Sequence, residues 1–260
     1  MKKGIGGNLK NERDLAMLRI SGRILAETLV ILAREARIGQ SLKAIDERAR
    51  TLIEKSGAWP AFLGYQAGGS RHPFPASACL SLNDQVVHGL PSDILLKEGD
   101  LLKIDLGVNY QGYFTDSALT VGIGRISKVA QRLLGITRQA LASATDICRS
   151  GRTLGDIGAV IEETVINGGF SVVKNLTGHA VGFAIHEDPP VYNYGRRGEG
   201  LVLAPGMVFA IEPMVSAGRG DIRQQPDESF STKDGSLAAH FEQTVAVGEN
   251  GPEILTPFLF

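Results

Sequence analysis

Two aspartates lie within an apolar stretch whose alternation is typical of a strand, KIDLGVNYQGYFTDSALTVG at 103–122. Asp105 and Asp116 are an odd number of positions apart, so one continuous strand would place them on opposite faces. The tetrapeptide YQGY at 110–113 is typical of a turn, however, and a two-residue loop would pair Gly107 with Asp116. Since residues 105 and 107 share a face, we expect both carboxylates on one face, with their Cβ atoms roughly 6–8 Å apart.

Two like charges at that distance repel each other unless a cation lies between them or one of them is protonated. The residues flanking both acids are apolar, which favours a metal site. The alternative is a solvated hairpin that carries two surface acids.

The composition is that of an ordinary globular protein, with 260 residues, 43% of them apolar and 21% charged. A net charge of −1 gives no basic field, so neither nucleic acid nor an anionic membrane is an expected partner. The spacing of Cys79 and Cys148 fits neither a disulfide framework nor a cysteine-zinc site, and favours a reducing cytosol. The first residues lack an apolar signal core, and no apolar run approaches about 18 residues, so we expect a cytoplasmic protein without a membrane span.

A pair of helical segments occurs twice along the chain. Apolar residues spaced by three and four predict amphipathic helices over 12–36 and 127–148. Each is followed by a segment with a Ser- or Thr-capped helix, GQSLKAIDERARTLIEKSG (39–57) and GRTLGDIGAVIEETVINGG (151–169). Both segments open with Gly-x-Ser/Thr-Leu-x-x-Ile and end in Gly, which predicts an internal duplication.

The predicted strands repeat as well, and an acidic residue occupies the equivalent position in each copy. GDLLKID, which ends in Asp105, matches GMVFAIE, which ends in Glu212; DSALTVG, which begins with Asp116, matches EQTVAVG, which begins with Glu242. If the halves pack about a pseudo-two-fold axis, four carboxylates converge at its centre, and two divalent ions would balance them. Oxygen-rich sites suit Mn(II), Fe(II) or Co(II) better than metals that prefer thiolates.

Histidine is the remaining ligand type, and the chain has five. We favour His179 as a ligand because Gly178 opens the backbone beside it, whereas His72 and His240 are expected to be structural or surface groups. His186 follows His179 in the same glycine-rich stretch, and His88 precedes the first acidic strand.

Five segments resemble the motifs of the type I methionine aminopeptidases, which are pita-bread metallopeptidases. They are NDQVVHG (83–89), KIDLGVNYQGYFTDSA (103–118), TGHAVGFAIHEDPPVYNYG (177–195), PGMVFAIEPMVSAG (205–218) and AAHFEQTVAV (238–247). The resemblance extends over about 12–250 and implies an α+β pita-bread fold, with duplicated helices packed on a curved antiparallel sheet. The short segment between Glu212 and Glu242 is similar to that of the bacterial form.

The predicted domain organisation follows from the repeat and the resemblance together. We expect an N-terminal extension over 1–11 and a single pita-bread catalytic domain over 12–260. Within it, the half-repeats cover about 12–125 and 126–250.

The resemblance further implies a site for two divalent ions, with Co, Mn, Fe(II) and Zn as the candidates. The implied ligands are Asp105, Asp116, His179, Glu212 and Glu242. In the family, the counterparts of Asp116 and Glu242 bridge both ions.

The implied activity is removal of the N-terminal Met from nascent polypeptides, at the ribosome, by a monomeric enzyme, when the second residue is small. Two ions would activate a shared water, and Glu212 would carry its proton to the leaving amine. His186 would donate to the developing oxyanion and His88 would contact the scissile amide nitrogen. The apolar pocket for the methionine side chain would consist of Phe62, Tyr65, Phe74, Cys79 and Ile185.

Some positions depart from the family motifs, and all lie near the substrate pocket. The family's GHGxGR is GHAVGF here, with Ala180 and Phe183, and Ile185 replaces an aromatic residue. The loop after Gly64-Tyr65 is longer and glycine-rich, and His72 within it is the candidate for a histidine that the family has nearby.

Two other functions are compatible with the sequence. One is an Xaa-Pro peptidase of the same fold, although such enzymes usually carry a large additional N-terminal domain. The other is a non-catalytic pita-bread module that binds peptides or partner proteins. Metal analysis combined with a peptide cleavage assay separates the three.

Overall fold

A computed structural model describes residues 8–257 of the chain and confirms the predicted α+β class. Within these residues four helices form two pairs: α1 (Glu12–Glu35) with α2 (Leu42–Lys55), and α3 (Lys128–Ile147) with α4 (Leu154–Asn167). The bounds of α1 and α3 agree with the predicted helices to within one residue at each end, and α2 and α4 lie within the two repeated segments. No helix within 8–257 is long and apolar enough to span a bilayer.

The strands of the first half are β1 (Trp59–Pro60), β2 (Ala78–Leu82), β3 (Gln85–Val87), β4 (Leu101–Tyr110) and β5 (Tyr113–Gly122). Those of the second half are β6 (Ser171–Val172), β7 (Thr177–Ala180), β8 (Glu187–Tyr192), β9 (Val208–Ile211), β10 (Met214–Ser216), β11 (Ile222–Gln224), β12 (Phe230–Thr232), β13 (Ala238–His240), β14 (Gln243–Val247) and β15 (Pro252–Ile254). Strands β1, β4 and β2 form one sheet in that order, with β5 also paired to β4. A second sheet has the order β15-β14-β9-β7-β8, and two three-stranded sheets, β13-β10-β6 and β11-β12-β3, lie beside them.

The hairpin β4–β5 has the register that the sequence predicts. Tyr110 pairs with Tyr113, and Gly107 pairs with Asp116. Gln111 and Gly112 both have positive φ, as the two central residues of a type I′ turn require. Asp105 and Asp116 therefore lie on adjacent antiparallel strands with their side chains on one face.

The internal duplication is visible in the hydrogen bonding as well as in the element order. Ser41 and Thr153 cap α2 and α4 through their side-chain oxygens. Each cap also forms an antiparallel bridge, Ser41 with Leu95 and Thr153 with Val202. Leu95 and Val202 precede Asp105 and Glu212, respectively, by the same number of residues, so the two halves place their acidic strands in the same way. The exact boundaries of the half-repeats stay a prediction.

The apolar side chains of the four helices and of the inner strands form the main core. Helix α1 packs against the hairpin β4–β5 and against the C-terminal segment. Gly22 makes the second contact possible, because a Cβ at this position would overlap the backbone carbonyl of Leu255. Glycine in this helix therefore serves close packing, although it lowers intrinsic helix stability.

We expect Gly22→Ala to destabilise the protein by about 1–3 kcal/mol, the usual effect of overpacking, because the segment around Leu255 must move away from α1. Gly135→Ala is the matched control, since Gly135 also lies in a helix but has open space where the methyl group would go. It should stabilise the protein by about 0.5–1 kcal/mol. Urea unfolding measures both changes, and a Gly22→Ala protein as stable as the parent would contradict the packing argument.

Candidate metal centre

The two main sheets join at a seam between β5 and β14. The backbone N–H of Glu242 donates to the carbonyl of Ala118 at 2.8 Å, and the Ser117 hydroxyl donates to the carbonyl of Glu242 at 2.7 Å. The Thr244 hydroxyl accepts from the Asp116 N–H at 2.9 Å and donates to the Asp116 carbonyl at 2.7 Å. These bonds join β5 of the first half to β14 and the preceding Glu242 of the second half.

All five predicted ligands meet at this seam. Ile211 pairs with Gln243, so Glu212 and Glu242 leave the sheet at the same point. His179 is brought next to them because it pairs with Ala210 of β9. Asp105 and Asp116 approach from the hairpin. The five side chains are buried: Asp105, Asp116, His179, Glu212 and Glu242.

The five residues divide into two groups that could each hold a metal ion. Asp105, Asp116 and Glu242 form one group, and His179, Glu212 and Glu242 form the other. Within each group the potential ligand atoms lie within 4.8 Å of one another. Because Glu242 belongs to both, the groups are adjacent, which is the arrangement that two neighbouring ions with a shared carboxylate require.

Burial and neighbouring acids favour the protonated, uncharged form of the carboxyl groups. Burial, followed by the charges of Asp116 and Glu212, raises the pKa of Asp105 well above its usual value. The pKa of Glu242 is also raised well above its usual value, first by burial and then by the neighbouring acids. In addition, Asp105 Oδ1 and Glu242 Oε1 are buried and have no hydrogen-bond partner in the part of the chain that the structure describes. Oxygen atoms that are buried, unpaired and surrounded by other acids fit divalent cations.

His179 is oriented for ligation. Its Nδ1–H donates to the carbonyl of Ala180 at 3.0 Å, which leaves Nε2 facing the acids. Nε2 lies 3.6 Å from Asp116 Oδ2 and 3.7 Å from Glu212 Oε1. Burial alone would lower the pKa of His179, but Asp116 and Glu212 together outweigh it and raise the pKa.

His240 belongs to this cluster, whereas the sequence predicts a structural or surface group at this position. Its ring is buried, and Nε2 lies 3.3 Å from Glu212 Oε2 and 3.8 Å from Glu242 Oε2. Neither ring nitrogen has a hydrogen-bond partner among the described residues. The available signal was its position two residues before Glu242, which places both side chains on one face of an extended segment.

His186 and His88 lie at the exposed rim of the cluster. The ring centroids of His186 and His179 are 4.3 Å apart, and His186 Nδ1 forms a 2.8 Å hydrogen bond with the Tyr65 hydroxyl. The surrounding protein atoms and then the His179 and His88 imidazoles lower the pKa of His186. The pKa of His88 is also lowered, mainly by loss of hydration, so both rings are neutral near pH 7. His88 stacks edge-on against Phe230.

The predicted pocket residues form one apolar cluster beside the acids. Phe62, Cys79 and Ile185 are its buried members, and Tyr65 and Phe74 pack against them. Ala61 and Phe114, which the sequence analysis did not select, are also part of it. Cys79 pairs with Asp105 in the sheet, which puts the cluster directly next to the carboxylates.

Gly107 is a further residue that sequence reasoning missed. It lies on the same face as Asp105, two residues along β4. A Cβ there would come within 3.0 Å of Ile185, Phe62 and Ala61, so only glycine lets these side chains meet over the strand.

The glycine-rich loop 66–73 crosses to a loop of the second half. The backbone N–H and Nε of Arg71 donate to Glu228 Oε1 at 2.9 and 3.1 Å, and Nη2 donates to the Pro226 carbonyl at 3.0 Å. His72 is exposed in this loop and is in none of the possible metal-binding groups among residues 8–257. Its correspondence to the family histidine stays a prediction.

We expect metal binding to release protons, because Asp105, Glu242 and His179 have raised pKa values in the metal-free protein and must lose protons to become ligands. Affinity should therefore increase with pH, and fewer protons should be released per ion as the pH rises. Calorimetric titration with Mn(II) in buffers of different ionisation enthalpy measures the proton count. A binding heat that does not depend on the buffer would contradict this prediction; Glu163→Gln, a surface control, should behave like the parent.

Comparison with known proteins identifies relatives of this chain. The profile of "Metallopeptidase family M24" matches residues 16–249. The methionine aminopeptidase of Clostridium perfringens is 43% identical over 249 residues, which cover 95% of this chain and 98% of the relative. Methionine aminopeptidase 1 of Bacillus subtilis is 41% identical, with the same two shares of coverage.

Solved structures agree with the sequence relatives. The crystal structure of methionine aminopeptidase from Rickettsia prowazekii matches with a TM-score of 0.93 and 34% identity, over 98% of this chain and 100% of that one. This match confirms the predicted pita-bread fold. The prolidase from Pyrococcus furiosus has a TM-score of 0.75 at 21% identity, over 97% of this chain but only 66% of its own, and shares the fold. On the profile match and these full-length relatives, the chain belongs to metallopeptidase family M24.

Proposed function

We propose that this protein removes N-terminal methionine from polypeptides whose second residue is small. The observation that carries the proposal is the proximity of two features. One is a group of five buried ligand-type side chains, of which Asp105 and Glu242 each have a carboxylate oxygen without a hydrogen-bond partner within residues 8–257. The other is an apolar cluster on the neighbouring strand positions. The first suits metal-assisted hydrolysis, and the second suits an unbranched apolar side chain. Relatives named methionine aminopeptidase at 37–43% identity support the same activity.

Two divalent ions are proposed as the cofactors, with Mn(II), Fe(II), Co(II) and Zn(II) as the candidates. Asp105, Asp116 and Glu242 would hold one ion, and His179, Glu212 and Glu242 the other. Asp116 also lies beside the second group, 3.6 Å from His179 Nε2, so Asp116 and Glu242 could both serve the two ions. When bound, such ions lower the pKa of water and polarise a carbonyl group. His240 is close enough to Glu212 and Glu242 to orient their carboxylates.

The protein's own groups would handle the proton and the developing charge. Glu212 has His179 beside one carboxylate oxygen and His240 beside the other, and it is the proposed carrier of the proton from water to the leaving amine. His186 is neutral near pH 7, and Tyr65 fixes its ring, so it can donate a hydrogen bond to the oxyanion. His88 is the proposed contact to the scissile amide nitrogen.

Substrate choice is proposed to depend on the apolar cluster and on the rim. Phe62, Phe74, Cys79, Tyr65 and Ile185 would enclose the methionine side chain, whose flexible thioether fills irregular apolar space. The next residue would face His88 and the acids. A large side chain there would push the carbonyl away from the attack position.

The setting of this activity is also a proposal. We infer that the protein works as a monomer in the cytoplasm, on nascent chains at the ribosome. The single catalytic domain over 12–260 with two half-repeats is part of the same proposal.

Glu212→Gln should lower kcat/KM by roughly 10²–10⁴-fold, because the amide cannot carry the proton. Metal content is measured in parallel by mass spectrometry, since Glu212 is also a proposed ligand. Glu163→Gln is the matched control, because Glu163 lies on the surface in an ion pair with Arg197. A Glu212→Gln enzyme that retains both ions and full kcat/KM would remove the assigned role.

Peptides of defined sequence test the substrate proposal. With added Mn(II) or Co(II), Met-Ala-Ser should be cleaved, whereas Met-Lys-Ser and N-blocked Met-Ala-Ser should resist. A misplacement of about 1 Å can reduce the rate by about 10², so the second residue should matter strongly. Faster release from Ala-Pro-Ser would favour the Xaa-Pro class instead. Equal release from Met-Ala-Ser and Met-Lys-Ser would contradict the proposal that a large second residue is excluded by His88 and the acids.

A further inference from the structure

The segment just before α1 forms part of the wall behind the rim histidine. The backbone N–H of Lys10 donates to the carbonyl of Gly206 at 2.7 Å, and only 1% of the Lys10 side chain is exposed. The lysine stem crosses Gly182, where any Cβ would overlap Lys10 Cε. This position of the lysine therefore depends on a glycine in the loop that leads to His186.

Lys10 ends in a buried ion pair. Its Nζ donates to Glu187 Oε2 at 2.8 Å, and only 7% of the Glu187 side chain is exposed. The other carboxylate oxygen, Oε1, accepts from the backbone N–H groups of Phe183 and Ala184. Glu187 thus ties the end of the loop 182–187 to its beginning, and Lys10 supplies the charge that allows this carboxylate to be buried.

The loop that Glu187 closes carries Ile185 and His186, the two residues of this loop with proposed functions. Ile185 is buried in the apolar cluster, and the His186 ring lies against His179 and bonds to Tyr65. A second bond fixes the loop from the side of the hairpin, since the Phe114 N–H donates to the Gly182 carbonyl at 2.7 Å. Lys10 Nζ also lies 5.0 Å from the ring centroid of Phe183, one of the residues that departs from the family motif.

We propose that Lys10 is a positioning residue for His186 and Ile185, and that it acts through the Glu187 carboxylate. This inference rests on the proposed function, because it gives the two side chains the roles assigned above. It also makes the segment before α1 a component of the site, where the sequence analysis treated residues 1–11 as an extension.

The test compares Lys10→Met with Arg19→Met in the metal-loaded protein. Arg19→Met removes ion pairs with Glu253 of β15 and with Glu12 of α1, but these pairs are partly exposed. Lys10→Met should lower kcat for Met-Ala-Ser by about tenfold or more at a temperature below its Tm, with unchanged metal content. Arg19→Met should keep kcat and KM. Lys10→Met with a lower Tm but unchanged kcat and KM would reduce Lys10 to a structural brace and overturn the proposal.

A double variant tests whether the effect passes through the charge of Glu187. Glu187→Gln keeps an oxygen that accepts from Phe183 and Ala184 but removes the charge that Lys10 balances. Lys10→Met combined with Glu187→Gln should therefore recover most of the kcat lost in Lys10→Met alone. If kcat does not recover in the double variant, the proposal that Lys10 acts through the Glu187 carboxylate is wrong.

Hydrogen exchange gives a readout that does not depend on activity. The amides of Phe183 and Ala184 should exchange faster in Lys10→Met than in the parent, and should be unchanged in Arg19→Met. Unchanged exchange in Lys10→Met would overturn this inference. Failure of the parent protein to cleave Met-Ala-Ser would instead overturn the proposed function, so the two failures are distinguishable.

Discussion

Four carboxylates are buried where the two half-sheets join, and their mutual repulsion is the constraint on which the rest of the structure depends. Backbone and hydroxyl hydrogen bonds across the seam fix the backbones of Asp116 and Glu242, so the two strands cannot separate to relieve the repulsion between the carboxylates. The protein can keep them there by retaining protons, as the raised pKa values of Asp105 and Glu242 indicate, or by binding cations.

The apolar cluster lies beside the acids because neighbouring positions of β4 and β2 form part of both. Gly107 and Asp105 occupy the same face of β4. The side chains that pack over Gly107 therefore lie immediately beside the carboxylates. Cys79 extends the contact across to β2, where it pairs with Asp105. A side chain that fills the apolar cluster would therefore hold its own backbone next to the acids, which is the geometry that hydrolysis of the first peptide bond requires.

The rim differs from the seam because it is built from loops that require support from other segments. Tyr65 fixes His186 through the ring nitrogen, and Lys10 with Glu187 fixes the loop that carries it. Arg71 and Glu228 join the two loops on the other side. Each of these contacts links positions far apart in the chain. Of the departures from the family motif, Phe183 is exposed in the loop 182–187, whereas Ala180 and Ile185 are buried, Ala180 directly after His179 in β7 and Ile185 in the apolar cluster.

The sequence alone determined the helices, the hairpin register and the five ligand-type residues. The helices follow from a local period, the register from a turn signal and the four acids from the internal repeat, whereas His179 was selected by the glycine beside it and by the resemblance to a known family. The tertiary structure alone decided that His240 faces Glu212, that Gly107 opens the strand to Ile185, and that Lys10 reaches Glu187. The sequence carries no periodic signal for such contacts, because they join segments that folding brings together, and their energy comes from burial and charge pairing in the packed protein rather than from neighbouring residues.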